Sequence, residues 1–308
     1  MSKPTKSIIE YRKYDLPLDF PVLLLDGDRW HISEIKSEYL HFHNCLEIGM
    51  CLAGSGTMIL NNDAVNFKGG DVTCIPRHFP HTTYSSDGNK SLWSYLFVDL
   101  GKLFWNFFHN SAVNFDIEES TFENSPYIMN KQKYPKIYFL IMSIIEEMRH
   151  EQKSYRTGIM GLFLSLYVEL NRLLAVSTVS ISLEDSNENS LNISPALNYI
   201  QKNYMHSFTV EYLAELCHLS TTHFRKTFLS IMGTTPLIYV NGKRIDEACI
   251  LLQSTDRSIL SIAELVGFRS ISSFNRYFNK LMRVSPRDYR NPKNRPERKI
   301  ILEYNGWL

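Results

Sequence analysis

"IAELVGFRSISSFNRYFNKLM", residues Ile262 to Met282, decides how the C-terminal third of this 308-residue chain is read. Upstream of its glycine, Ile259, Ile262, Ala263 and Val266 recur at helical spacing. Gly267 and Phe268 predict a tight turn, with Ser270 or Ser272 as the N-cap of a second helix. Past the turn, Phe274 and Phe278 share one face of that helix, and Arg276 lies off the face. The unit is therefore helix, turn, helix. Packing accounts for the phenylalanines but gives no role to Ile271, Ser272, Ser273, Asn275 and Arg276 near the start of the second helix. Contact with base edges in a DNA groove gives them one.

The same pattern occurs earlier in the chain. "LAELCHLSTTHFRKTF" (Leu213 to Phe228) aligns with "IAELVGFRSISSFNRYF" (Ile262 to Phe278). Ala214 matches Ala263, Glu215 matches Glu264 and Leu219 matches Phe268 at an offset of 49. Beyond the turn the offset is 50, pairing Phe224 with Phe274, Phe228 with Phe278, Met232 with Met282, Pro236 with Pro286 and Tyr239 with Tyr289. Two copies of one supersecondary unit, the second with one extra turn residue, is the economical reading.

The C-terminal copy, "IAELVGFRSISSFNRYFNKLMRVSPRDYR", resembles the signature of the AraC/XylS family of bacterial transcription regulators. "RIDEACILL" (Arg244 to Leu252) resembles the family's connecting helix, with Ala248, Leu251 and Leu252 inward. One position departs: Gly233 stands three residues before Pro236, whereas Arg283 stands three before Pro286. A left-handed C-cap there would cost an arginine on the order of 1 kcal/mol. The resemblance implies a DNA-binding domain with two helix-turn-helix units over residues 195–292. By position, Thr221, Thr222, His223, Arg225 and Lys226 would serve the first reading helix, and Ile271, Ser272, Asn275 and Arg276 the second. Residues 237–252 would form a rod of roughly 24 Å between them, able to set the reading helices about one DNA turn apart.

Charge divides along the chain. Residues 195–308 hold 16 Lys and Arg against 9 Asp and Glu, a net of +7, while residues 1–194 hold 17 against 23, a net of −6. Only the C-terminal part is thus suited to a polyanion. Five scattered cysteines (Cys45, Cys51, Cys74, Cys217, Cys249), without any C-x-x-C, fit a reduced cytoplasm better than secretion. Apolar runs stay short of a membrane span, and the N-terminus lacks a signal-peptide core.

Residues 20–100 predict short strands such as "PVLLLDG", "GGDVTCIP" and "SLWSYLFVDL", with Asn61-Asn62-Asp63 as a hairpin turn. Many evenly spaced strands suggest a barrel or jelly roll. From Tyr134 to about Val176 there are two helical stripes: Ile137, Ile141, Ile144, Ile145 and Met148, then Ile159, Leu162, Phe163, Leu166, Leu170 and Leu173. They pack on the barrel or on a second subunit. Ser177 to Ser194 is polar and aperiodic, a linker that Ser194-Pro195 ends by capping the next helix.

Inside the barrel, "HFHNCLE" places His41, His43 and Glu47 on one face if the strand is continuous. "GDVTCIPRHFPH" adds His81. Both stretches resemble cupin motifs, with His78 where a glycine normally follows the proline by two. Three imidazoles and a carboxylate suit a transition metal, the lining of a pocket for a small polar effector, or a self-satisfied structural cluster. The site is assigned to an effector, without metal or cofactor, and Trp30, Tyr84, Trp93 and Tyr95 are candidate walls for a sugar-like ligand.

The expected architecture is a multidomain α+β chain: an N-terminal cupin-like β-barrel (1–132) with a helical dimerisation segment (133–177), a linker (178–194), an all-α domain with two helix-turn-helix units (195–292) and a tail (293–308). The resemblance implies a cytoplasmic homodimer, not an enzyme, that binds double-stranded DNA, a small-molecule effector and RNA polymerase and activates carbohydrate or related catabolic genes. Two readings compete: a metal-dependent cupin enzyme or metal sensor fused to a DNA-binding domain, and a constitutive DNA-binding protein whose barrel only dimerises.

Overall fold

A strand that reads SLWSYLFV, Ser91–Val98, has no polar face and needs cover on both sides. The computed structural model describes residues 8–17, 19–37, 39–60, 63–108, 127–177 and 193–291. It separates into two compact units, one carrying the described residues up to 177 and the other those from 193 onward.

In the N-terminal unit, β1 (Ile8–Arg12), β4 (Tyr39–His43), β9 (His81–Ser85), β6 (Ser55–Leu60) and β7 (Asp63–Lys68) form one sheet in that order. A second sheet runs β11 (Ile128–Asn130), β8 (Asp71–Ile75), β5 (Leu46–Ala53), β10 (Ser91–Val98), β2 (Val22–Leu25), with β3 (His31–Ile32) also paired to β10. Among the described residues only β1 and β4 pair in parallel; the other ladders are antiparallel. Leu60 pairs with Asp63, as a two-residue hairpin requires, and the expected turn residues Asn61 and Asn62 lie outside the described residues.

Alternate residues of β10 go to different cores. Trp93, Tyr95 and Phe97 meet Met58, Leu60 and Phe67 of the other sheet. Leu96 and Val98, with Ile48, Met50, Val72 and Cys74, face outward onto helices. Those helices are α1 (Leu100–Phe108), α2 (Pro135–His150) and α3 (Tyr155–Ser177). Ile137, Ile141, Ile144 and Ile145 of α2 are buried there with Ile159, Phe163, Leu166 and Leu170 of α3, while Met148, Leu162 and Leu173 pack at the edge. Both apolar stripes are therefore used against the chain's own sheet.

The second unit is helical: α4 (Ser194–Asn203), α5 (Val210–Leu216), α6 (Thr221–Met232), α7 (Pro236–Ser254), α8 (Ile259–Leu265), α9 (Ile271–Met282) and α10 (Pro286–Arg290). Thr209, Ser220, Thr235, Ser258, Ser270 and Ser285 each cap a helix by accepting the N–H three residues on. Each cap is worth about 1 kcal/mol over alanine. Of the two serines expected to cap α9, Ser270 does so. Ser194 is not a cap: it is already helical, Ile193 precedes it, and Pro195 sits in the first turn where its missing N–H goes unneeded. The rod is longer than expected, 19 residues instead of residues 237–252, or roughly 28 Å. Of the expected linker, residues 178–192 lie outside the described residues, as do residue 292 and the expected tail, 293–308.

Each helix-turn-helix copy needs two left-handed residues, and each supplies only one glycine for them. In the turn these are His218 (φ 53°) and Gly267 (φ 91°); at the C-cap they are Gly233 (φ 64°) and Arg283 (φ 60°). The left-handed C-cap required of Arg283 is thus present, and its N–H donates to the Asn279 carbonyl. Gly267 is irreplaceable for a second reason: a Cβ there would lie 2.5 Å from the Met205 oxygen. Relief of left-handed strain outweighs the added chain entropy, so Arg283→Gly is expected to stabilise the unit by about 0.5–1 kcal/mol. Gly267→Ala should destabilise it by more, and urea melts of the three proteins check both signs.

Candidate nucleic-acid interface and ligand pocket

The helical faces sort themselves by burial. α6 buries Phe224, Phe228 and Met232, and α9 buries Phe274, Phe278 and Met282. Turned away from these, Thr222, His223, Arg225 and Lys226 are exposed on α6, with Thr221 half-buried. On α9, Ser272 and Arg276 are exposed, while Ile271 and Asn275 are half-buried. All nine residues expected to read DNA lie within the first two turns of their helices, where base contacts are made when such a helix enters the major groove.

Two details escape sequence reading. Arg225 reaches back to Glu211 on α5, 3.3 Å away, an exposed pair worth at most about 1 kcal/mol, which DNA phosphate can displace. Arg276 lies over the ring of Tyr277, 5.5 Å from its centroid, which orients the guanidinium. A cleft of about 520 Å³ also opens beside α9, and its walls include Arg244, Arg269, Arg276, Ser273 and Tyr277. Arg244 donates to the carbonyls of Tyr204 and His206, and Arg269 to the Ser207 hydroxyl. Burial, then the neighbouring Arg269 charge, lowers the pKa of Arg244 from its ordinary value. Arg244 sits mid-rod and Arg269 in the turn, and no local pattern in the sequence brings them together.

In the barrel, His41, His43 and Glu47 do not share one strand. β4 ends at His43, and β5 begins at Leu46 in the other sheet, so Glu47 meets the histidines from the facing sheet. The convergence expected of them is nevertheless present, through tertiary structure. His41 pairs directly with His81 across β4 and β9, their ring centroids 4.3 Å apart. Glu47 lies 3.1 Å from His43 Nε2 and 3.6 Å from His81 Nε2. Position 78 shows why a glycine suits it: His78 has φ 60°, and its N–H donates to the His43 carbonyl at the end of β4.

Burial would raise the Glu47 carboxyl, but the neighbouring His81 and His43 imidazoles outweigh it and hold the group well below the usual carboxylate range. Burial pulls His41 well below the ordinary imidazole value, and the His81 charge adds to that. It also lowers His43, with Glu47 pulling the other way.

His41, Glu47 and His81 line a cavity of about 30 Å³ with Trp30 and Tyr95. Three candidate residues lie outside its lining. His43 is completely buried behind Glu47, Trp93 stacks behind Tyr95 at 5.5 Å, and half-buried Tyr84 sits under Lys36. Tyr14, Leu25, Ile32, Thr83 and Phe97 supply the rest of the wall. Among the described residues, no helix is long and apolar enough to cross a membrane, and none of the five cysteines is in a disulfide.

Comparison with known proteins matches residues 25–167 to the AraC-like ligand binding domain and residues 213–292 to a helix-turn-helix domain. The melibiose operon regulatory protein of Escherichia coli (strain K12) is 25% identical over 264 residues, 81% of this chain and 82% of that protein. The raffinose operon transcriptional regulatory protein RafR of Pediococcus pentosaceus is 23% identical over 239 residues, 77% of this chain and 81% of its own. Among solved structures, the DNA-binding domain of AdpA, a global transcriptional factor crystallised with target DNA, is 28% identical, with a TM-score of 0.31, covering 32% of this chain and 89% of that one.

Proposed function

The chain belongs to the AraC family of DNA-binding transcription regulators, and on that premise we propose that it is an effector-responsive activator of carbohydrate or related catabolic genes. One observation carries the DNA contact: two helices of the same design, α6 and α9, expose polar and cationic side chains in their first two turns while burying their phenylalanine faces. In this reading the protein acts in the cytoplasm as a homodimer, engages RNA polymerase at its promoters and catalyses no reaction. The barrel senses the effector. The names of the melibiose and raffinose regulators support a sugar.

A sugar makes a demand on the barrel. Ligand pockets commonly enclose about 300–1,000 Å³, far more than the 30 Å³ present. Effector entry therefore requires part of the wall to swing out, and half-buried Trp30 is the least buried of its aromatic lining. Selecting bound fragments from a DNA pool with the full chain, with and without a sugar panel led by melibiose and raffinose, tests the reading. A selected operator whose affinity shifts with one sugar is the expected result; an unchanged affinity across the panel removes the sugar from it.

Residue roles separate in the same assay. Arg276→Ala should cost about 1–3 kcal/mol on the preferred operator and relax preference at one base pair, as the loss of a bidentate guanine contact does. Lys226→Ala should weaken all sequences alike and flatten the salt slope by about one. Identical profiles for the two variants would refute the assignment.

A further inference from the structure

Asparagine competes with the backbone for hydrogen bonds and suits the inside of a helix poorly, yet Asn241 sits in the second turn of α7. It is only 5% exposed, and among the described residues its side chain has no hydrogen-bond partner. A buried amide without a partner is destabilising, and a leucine in its place would avoid that cost. The amide is not sealed in, because Asn241 lines the cleft beside α9. Leu237 and Arg244, four residues before it and three after, line the same cleft, so one stripe of α7 faces it.

The cleft is charged on one side and apolar on another. Arg244, Arg269 and Arg276 border it, and among the described residues no carboxylate does. Arg244 donates to two carbonyls and Arg269 to a hydroxyl, contacts that orient both guanidiniums without neutralising them. Ser270, the N-cap of α9, and Ser273 line it too, so the positive end of that 12-residue helix opens on the same space. Against these stand buried Leu213, Val240 and Phe268, with Leu237 58% exposed. A volume of about 520 Å³ falls within the range of small-molecule pockets. A phosphodiester of duplex DNA brings a single charge and no apolar group to cover such walls.

We propose that this cleft binds a small phosphate monoester with an apolar ring or branched body, its head held by Arg244 and Arg269 and its body covered by Leu237, Val240 and Phe268. Such a head carries nearly two negative charges at neutral pH, which two guanidiniums balance with charge-assisted hydrogen bonds. The Asn241 amide supplies a further polar contact and gains the partner it otherwise lacks. The site lies wholly within the C-terminal unit and is separate from the barrel pocket. Arg276 and Ser273 belong to the second reading helix, so an occupied cleft draws Arg276 away from DNA. That coupling rests on the base-reading role proposed for Arg276; binding in the cleft does not.

The test titrates the full chain by calorimetry, in phosphate-free buffer, with phenyl phosphate and separately with inorganic phosphate, phenol and benzoate. Phenyl phosphate should bind once per chain, and the other three, each lacking the body, the head or the second charge, about 10-fold more weakly or worse. Arg269→Gln, at an exposed position, should weaken phenyl phosphate by about 10-fold or more. Asn241→Leu should weaken it too, yet raise the Tm of the unliganded C-terminal unit by removing an unpaired buried amide. Saturating phenyl phosphate should lower operator affinity of the wild-type chain about 10-fold, and that of Arg276→Ala much less. No binding of phenyl phosphate by a chain that still binds its operator overturns the proposal and leaves the DNA reading standing. Undiminished binding by Arg269→Gln and Asn241→Leu overturns the location, and benzoate binding as tightly overturns the phosphate head. A lower Tm for Asn241→Leu overturns the role given to its amide, and an operator affinity unmoved by bound phenyl phosphate overturns the coupling.

Discussion

Raising salt from about 50 to about 200 mM is expected to weaken binding of the selected operator by roughly 10³-fold or more. DNA binding releases one condensed counterion for nearly every phosphate neutralised, so the logarithm of affinity falls with the logarithm of salt at a slope of about −0.9 per contact. About six contacts suffice for that loss. Residues 195–308 hold 16 Lys and Arg against 9 Asp and Glu, so the cations are available. The N-terminal part is net acidic and should contribute little to the slope. Residues 192–308 alone are therefore expected to reproduce it, as fluorescence anisotropy on a labelled operator would show. A slope near zero for both proteins would leave the two reading helices without a polyanion to read.

The second large effect concerns stability. Phe278→Ala is expected to destabilise the C-terminal unit by about 3–5 kcal/mol, because the side chain is completely buried and its removal leaves a cavity. Its ring packs against those of Phe274 and Tyr289, at 5.5 and 5.4 Å between centroids, and so ties α9 to α10. Since a domain is held by only about 5–15 kcal/mol in total, much of the population would lose α9 and with it the second reading face. Leu281→Ala, three residues along the same helix but 45% exposed, should change stability by no more than about 0.5 kcal/mol. Guanidinium melts of residues 192–308 separate the two variants; equal losses would mean that α9 is not anchored by its phenylalanine face.

The helix-turn-helix units were legible because their defining features are local. A helix face repeats every three or four residues, a cap reaches three residues ahead, and a left-handed turn residue acts on its own backbone. Phe274 and Phe278, Ser270 and Arg283 therefore behave as their neighbours in sequence require. The internal repeat added a second copy of the same information, which is why all nine candidate residues fall within the first two turns of α6 and α9.

The barrel site was legible in composition but not in geometry. His41, His43, Glu47 and His81 could be named from their spacing, but a sequence period cannot show that the chain leaves one sheet after His43 and enters the other at Leu46. Strand register across some forty residues decides that His41 faces His81. Packing of the facing sheets decides that Tyr95 lines the cavity while Trp93 sits behind it, and that only about 30 Å³ is left open. Arg244 and Arg269 share a cleft for the same kind of reason, since helices distant in sequence bring them together. The sequence by itself determined which local units form and which faces they bury, because those depend on interactions between near neighbours. Tertiary structure alone decided the direction and spacing of side chains from separate strands and helices, because these arise from long-range pairing that no local period encodes.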